Sequence, residues 1–171
     1  MKKVLLATAI LAGSTFATTA SANMDFSILG GYDSDSLLTF GAELGYNDVI
    51  FGLQSYGSQT SSIGVAEESY SDWGLYGGYR LPNGLALKAG AVLSDISITG
   101  QEGKVTYKGE ETLFRPFIGA GFGTGNWTLN LHYALGAETT IKPKGSDGSV
   151  SKKGQLVSYE GNWSLMAGYR F

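Results

Sequence analysis

The chain has no cysteine, only three prolines and a single histidine in 171 residues. No cysteine means no disulfide framework and no thiolate metal site. So few prolines exclude a Pro-rich disordered chain. One histidine provides no imidazole pair for zinc. No run beyond the N-terminus is long and apolar enough for a transmembrane helix, which excludes a helical membrane protein but not a spanning barrel. Basic residues are also few, 12 against 15 acidic, and an acidic chain does not suit nucleic acid as a partner. Glycine, at 26 residues, and aromatics, at 12%, are the abundant types.

The N-terminus reads as a secretory leader. Met1-Lys2-Lys3 is a basic start, Val4 to Ala12 an apolar stretch too short to span, and Ala20-Ser21-Ala22 a small-x-small cleavage site. The expected division is a signal peptide over 1–22 and one domain over 23–171. The 149 residues after the leader hold 10 basic and 15 acidic side chains, a formal charge of −5, because the leader removes Lys2 and Lys3 and no acid.

The C-terminus alternates strictly. Trp163, Leu165, Ala167, Tyr169 and Phe171 fall on every second position, which is one face of a strand. Seven further segments alternate in the same way: Met24–Tyr32, Leu38–Tyr46, Val49–Gly57, Ser69–Arg80, Leu85–Leu93, Thr112–Phe122 and Trp127–Leu135, with the terminal strand starting near Tyr159. Pro116 inside the sixth segment predicts a bulge or local irregularity. Asn47-Asp48, Leu81–Gly84 and Gly123–Asn126 read as tight turns. The other four connections are polar loops: loop one, Asp33–Ser36, is short, and loops two to four, Ser58–Glu68, Asp95–Glu111 and Glu138–Ser158, are long, although Ile96/Ile98 and Val105/Tyr107 suggest that two strands extend into theirs. Short turns on one rim and long loops on the other are the asymmetry of outer-membrane barrels.

One face of every segment is apolar and the other is polar or glycine. Asp25, Glu43, Asp72, Arg80, Lys88, Arg115, His132 and Arg170 share the polar face. Tyr46, Tyr79, Phe122, Trp127, Tyr169 and Phe171 cluster toward the short turns, and Tyr32, Phe40, Trp73, Phe114, Tyr133 and Trp163 toward the long loops. Two aromatic girdles with aliphatic residues between them belong at two membrane interfaces. The expected fold is all-β: an eight-stranded antiparallel up-and-down transmembrane β-barrel, apolar outside and polar inside.

Leader, eight strands, four polar loops and the ending Gly168-Tyr169-Arg170-Phe171 resemble the small outer-membrane barrels of the OmpX/Ail/opacity type. The resemblance implies a bacterial outer membrane as the location, with both termini periplasmic. It implies lipid and lipopolysaccharide as surroundings, and Tyr169 and Phe171 as the signal read by the barrel assembly machinery. It also implies a non-enzymatic role, either structural or in surface interaction as an adhesin or serum-resistance factor acting on host surface or matrix ligands.

The remaining motifs carry little chemistry. Eight strands enclose a lumen that side chains can fill, so the inward charges read as a paired polar core rather than an ion path. Lipid A-modifying barrel enzymes and narrow pores are the alternatives. His132-Tyr133-Ala134 lacks the serine of the deacylase His-x-Ser pair, and parity turns His132 inward, so no catalytic residue is expected. No metal and no cofactor are expected. Gly119 to Gly125 is glycine-rich but lacks the Lys-Ser/Thr ending of a phosphate loop. Loop four carries Lys142, Lys144, Lys152 and Lys153 against Glu138 and Asp147, while the other loops lean acidic. These lysines are either anion-binding residues for lipopolysaccharide phosphates or host glycans, or a solvated rim in a mobile Gly/Ser-rich loop.

Overall fold

The computed structural model describes residues 24–35, 37–63, 66–102, 104–150 and 154–171. The expected leader over 1–22, and Lys152 and Lys153 of loop four, lie outside the described residues.

Eight long strands form the wall: β1 Met24–Asp33, β2 Leu38–Tyr46, β3 Val49–Ser55, β4 Ala66–Arg80, β5 Leu85–Glu102, β6 Val105–Thr124, β7 Trp127–Ala134 and β8 Asn162–Arg170. Each pairs antiparallel with its neighbour in sequence. β8 returns to β1, with Ser27 opposite Arg170 and Asp33 opposite Ser164, and this last pairing closes the sheet on itself. Closure leaves no sheet edge among these strands, as a backbone in lipid requires. The described residues contain no helix.

The faces are inverted relative to a soluble barrel. Ile118 is 63% exposed and its neighbour Phe117 only 1%. Leu75, Leu87, Leu129 and Leu131 are exposed, while Gln54, Asn130, His132 and Arg115 are buried. An outside of Leu, Ile, Phe and Trp around an inside of amides and ion pairs is stable only in lipid. The chain is therefore a transmembrane barrel.

The register shows where the lipid band ends. On three adjacent strands Trp73, Leu93 and Phe114 form one outward row. The next outward row is Ser71, Asp95 and Thr112, and the one after it Ser69, Ser97 and Glu110. The wall changes from apolar to polar in a single step. At the other rim Tyr46 pairs with Val49, Leu85 with Phe122 and Trp127 with Tyr169. Nine residues from Trp163 to Phe171 match the length of a tilted spanning strand.

Three expectations are corrected. Asp95–Glu111 is not a loop: β5 and β6 stay paired to Glu102 opposite Val105, and β4 begins at Ala66 rather than Ser69. These three strands rise beyond the lipid band as a wall, extended on one side by the short strand Gln59–Ile63 paired with β4. Loop four is built as well. Ala137–Ile141 pairs with Gln155–Tyr159, and Lys144–Gly145 pairs with Tyr107–Lys108 of β6. Pro116, finally, causes no bulge in β6, whose register with β5 runs unbroken through it. Its carbonyl accepts from Leu135 N–H, one residue beyond the end of the β7 ladder, so its missing N–H faces the place where pairing stops.

The short turns follow their residues. Asn47 adopts φ 53° and Gly125 φ 56°, the left-handed region that asparagine and glycine tolerate.

Candidate functional site

The lumen is built in layers from alternate residues of all eight strands. At the short-turn end Arg80 of β4 grips Asp25 of β1 with both guanidinium nitrogens, Nη2 to Oδ1 at 2.7 Å. Gly45 makes this possible, because a Cβ there would lie 2.5 Å from the Asp25 carboxylate. Arg170 does not join the ion pairs: its Nη2 donates to the Gly125 carbonyl at 2.5 Å and ties β8 to the β6–β7 turn.

One layer higher, Lys88 donates to both Glu43 and Asn130, and Tyr76 Oη donates to Glu43 at 2.9 Å. The Tyr76 ring lies against Gly52, where a Cβ would come within 2.1 Å of it. Above it, Gln54 bridges two strands. Its Nε2 donates to Ser164 Oγ at 2.9 Å, and its Oε1 lies 2.7 Å from His132 Nδ1. That contact places the imidazole proton on Nδ1. His132 Nε2 has no hydrogen-bond partner, and the imidazole packs against the Tyr76 and Phe117 rings, whose centroids lie 5.0 and 5.2 Å from its own.

A buried, largely apolar layer follows, of Tyr56, Tyr76, Val92, Phe117 and Ala134. It separates two polar cavities, of about 330 Å³ beside Arg80, Lys88 and Arg170, and about 410 Å³ beside Asp33, Asp72 and Arg115. At the upper end Arg115 donates to Asp72 at 3.2 Å, to the Leu135 carbonyl at 3.1 Å and to the Glu160 carbonyl at 3.2 Å.

Above the barrel the loops form a packed platform. Ile96 and Ile98 from the β5 extension meet Ile141 and Val157 from the loop-four hairpin, with Tyr70, Leu113 and Tyr159 around them. Tyr70 and Tyr159 stack edge to face at 5.3 Å. Gln155 donates to Glu68, which holds the hairpin against β4, and Tyr70 Oη donates to the same carboxylate at 2.6 Å. Burial, then Glu68, push the Tyr70 phenol up to about 12. Lys142 and Lys144 are exposed on this platform.

Parity alone places Gln54 and Asn130 on the inward face, but local patterns do not show what they bond, and they miss two other participants. Tyr159 and Lys108 enter only because loop four folds back onto β4 and β6. No group of three His, Cys, Asp or Glu side chains able to hold a metal occurs among the described residues.

No family model matches the chain, and no curated protein sequence does either. Solved structures similar to it include Ail of Yersinia pestis, there in complex with the heparin analogue sucrose octasulfate. It is 16% identical with a TM-score of 0.48, covering 87% of this chain and 97% of that one. Neisserial surface protein A is 14% identical with a TM-score of 0.43, covering 86% and 93%. The N-terminal barrel domain of Pseudomonas aeruginosa OprF is 18% identical with a TM-score of 0.36, covering 87% and 97%. By its own closed register, its apolar outside and its girdled band, the chain is a small eight-stranded transmembrane barrel.

Proposed function

We propose that this chain is a non-enzymatic protein of a bacterial outer membrane that presents its loop-four side to ligands outside the cell, in the manner of an adhesin or serum-resistance factor. The observation that carries the reading is the contrast between a filled lumen and a tall, ordered platform. Phe117, His132 and Gln54 occupy the barrel's middle at 1% exposure or less, whereas β4, β5 and β6 rise several residues past the Trp73–Leu93–Phe114 row. A barrel whose only task is to fill membrane has no need of that extension. In this reading residues 1–22 direct export, both ends of the barrel face the periplasm, and Tyr169 and Phe171 are read by the assembly machinery. Lys142, Lys144, Lys152 and Lys153 supply the positive charge that anionic host or matrix ligands meet.

The alternatives fit less well. A lipid A-modifying enzyme needs its histidine at the lipid face beside a nucleophile. His132 lies inside, its Nδ1 taken by Gln54. A pore needs a continuous wet path, and the Tyr56–Tyr76–Phe117 layer interrupts it.

The test is adherence of intact cells to host cells and extracellular matrix, comparing wild type with a variant carrying Lys142→Gln, Lys144→Gln, Lys152→Gln and Lys153→Gln at matched outer-membrane levels. The expected result is clear loss of adherence, with wild-type binding weakened by salt. Unchanged adherence would refute the loop-four reading and leave a structural envelope role.

A further inference from the structure

The outward face of the platform is layered by charge. Its first two polar rows above the aromatics carry Asp95 and Glu110 and no lysine. In the next row Thr99 pairs with Glu67 on one side and Lys108 on the other, and Lys108 pairs directly with Lys144 of loop four. Directly opposed residues of an antiparallel ladder share a face, their Cβ atoms about 4.5–5.5 Å apart. The two lysine side chains therefore leave the same face of the sheet from neighbouring strands, and both residues are exposed.

The ion pairs among the described residues are Arg80–Asp25, Lys88–Glu43 and Arg115–Asp72, and neither lysine is in one. Asp147, in the turn after Lys144, is engaged elsewhere: it accepts from Ser149 N–H at 3.0 Å and Ser149 Oγ at 2.5 Å. Like charges placed opposite each other weaken a ladder, and Lys144–Gly145 is only two residues long. An arrangement that works against its own strand has an obvious remedy, an anion seated between the two ammonium groups.

We propose that Lys108 and Lys144 together clamp one sulfate or phosphate ester of an acidic saccharide. This rests on the anion-binding reading of loop four and adds to it a residue from the barrel wall. A polymer is required because one exposed ion contact contributes little, while repeated contacts along a linked chain multiply. Lys142, exposed beside Lys144, extends the cationic track. Asp95 and Glu110 lie between the clamp and the membrane, so lipid phosphates at the membrane surface meet acids first, and the saccharide arrives from above.

The experiment uses the full barrel in lipopolysaccharide-free detergent at low salt. The two probes are a heparin oligosaccharide and the phosphorylated core oligosaccharide released from lipopolysaccharide. The proteins are wild type, K108Q, K144Q, the double variant and the four-lysine loop variant, each first checked for a heat-dependent gel shift that reports a folded barrel. K108Q and K144Q should each weaken binding about three- to fivefold, and the double variant little more than either, since a clamp fails when one jaw is lost. Clamp-dependent binding of heparin supports an external glycan as the source, and of the core oligosaccharide the cell's own surface. K108Q binding like wild type while the loop variant loses binding would overturn the clamp and leave the loop-four reading standing. A loop variant that binds like wild type, or a wild type that binds neither probe, would overturn both.

Discussion

The Arg115 guanidinium lies over the ring of Tyr159, 4.6 Å from its centroid, and so joins the barrel wall to the loop-four hairpin. The same side chain pairs with Asp72 and accounts for two carbonyls that loop four would otherwise leave without these bonds. The platform is thus fastened to the top of the lumen by one buried arginine, in addition to its own apolar core.

Arg115→Met removes that fastening and leaves Asp72 enclosed without its cation. Loss of one partner from a buried pair costs about 3–5 kcal/mol. Urea unfolding of the refolded barrel should show this loss. Protease sensitivity between Ala137 and Tyr159 should rise with it, because the hairpin loses its anchor. A variant as stable as wild type would mean that water already satisfies Asp72.

The membrane boundary can be read from two substitutions on one face of β4. Leu75→Arg, in the middle of the band, should destabilise the barrel by about 2–4 kcal/mol, and Ser71→Arg, just above the Trp73 row, by about 0–1 kcal/mol. Equal costs in lipid vesicles would show that the boundary is misplaced.

Two glycines give opposite expectations. A Cβ at Gly52 would strike the Tyr76 ring, whereas a Cβ at Gly30 meets nothing within 4 Å. Gly52→Ala should therefore push Tyr76 off Glu43 and cost about 1–3 kcal/mol as an overpacked interior. Gly30→Ala should be close to neutral. Denaturant midpoints of the two variants measured side by side decide the matter.

The filled lumen predicts silence in planar bilayers. Wild-type protein should give no step-like conductance, because Phe117, His132 and Gln54 leave no wet path between the two polar cavities. Reproducible unit steps would require the Tyr56–Tyr76–Phe117 layer to open.

The barrel is legible in the sequence because period two acts on every strand at once: Trp163 to Phe171 and Leu85 to Leu93 declare their outward faces without any knowledge of partners. Parity alone also sends Glu43, Lys88 and His132 inward. Which charge meets which depends on stagger, and so the pairing of Lys88 with Glu43 rather than Asp25 emerges only from the register. The platform is harder to read. Ser97 and Thr99 resemble loop residues because strand segments above the membrane lose the lipid-facing half of the pattern, though Ile96 and Ile98 keep the inner half. The Lys108–Lys144 contact joins residues 36 positions apart through a two-residue strand, and no local signal announces such a pair. Pro116 misleads in the other direction: a residue that breaks ladders stands where one ladder had already ended.

Which rim of the barrel faces outward can be tested directly, because the chain has no native cysteine. Lys104→Cys places a thiol at the tip of the β5–β6 hairpin, and Asn83→Cys places one in the short turn at the opposite rim. Intact cells expressing each variant are treated with a membrane-impermeant maleimide. The Lys104→Cys protein should be labelled on intact cells and the Asn83→Cys protein only after the outer membrane is permeabilised. Labelling of the Asn83→Cys protein on intact cells, with Lys104→Cys protected, would contradict this by placing the platform on the inner side of the membrane.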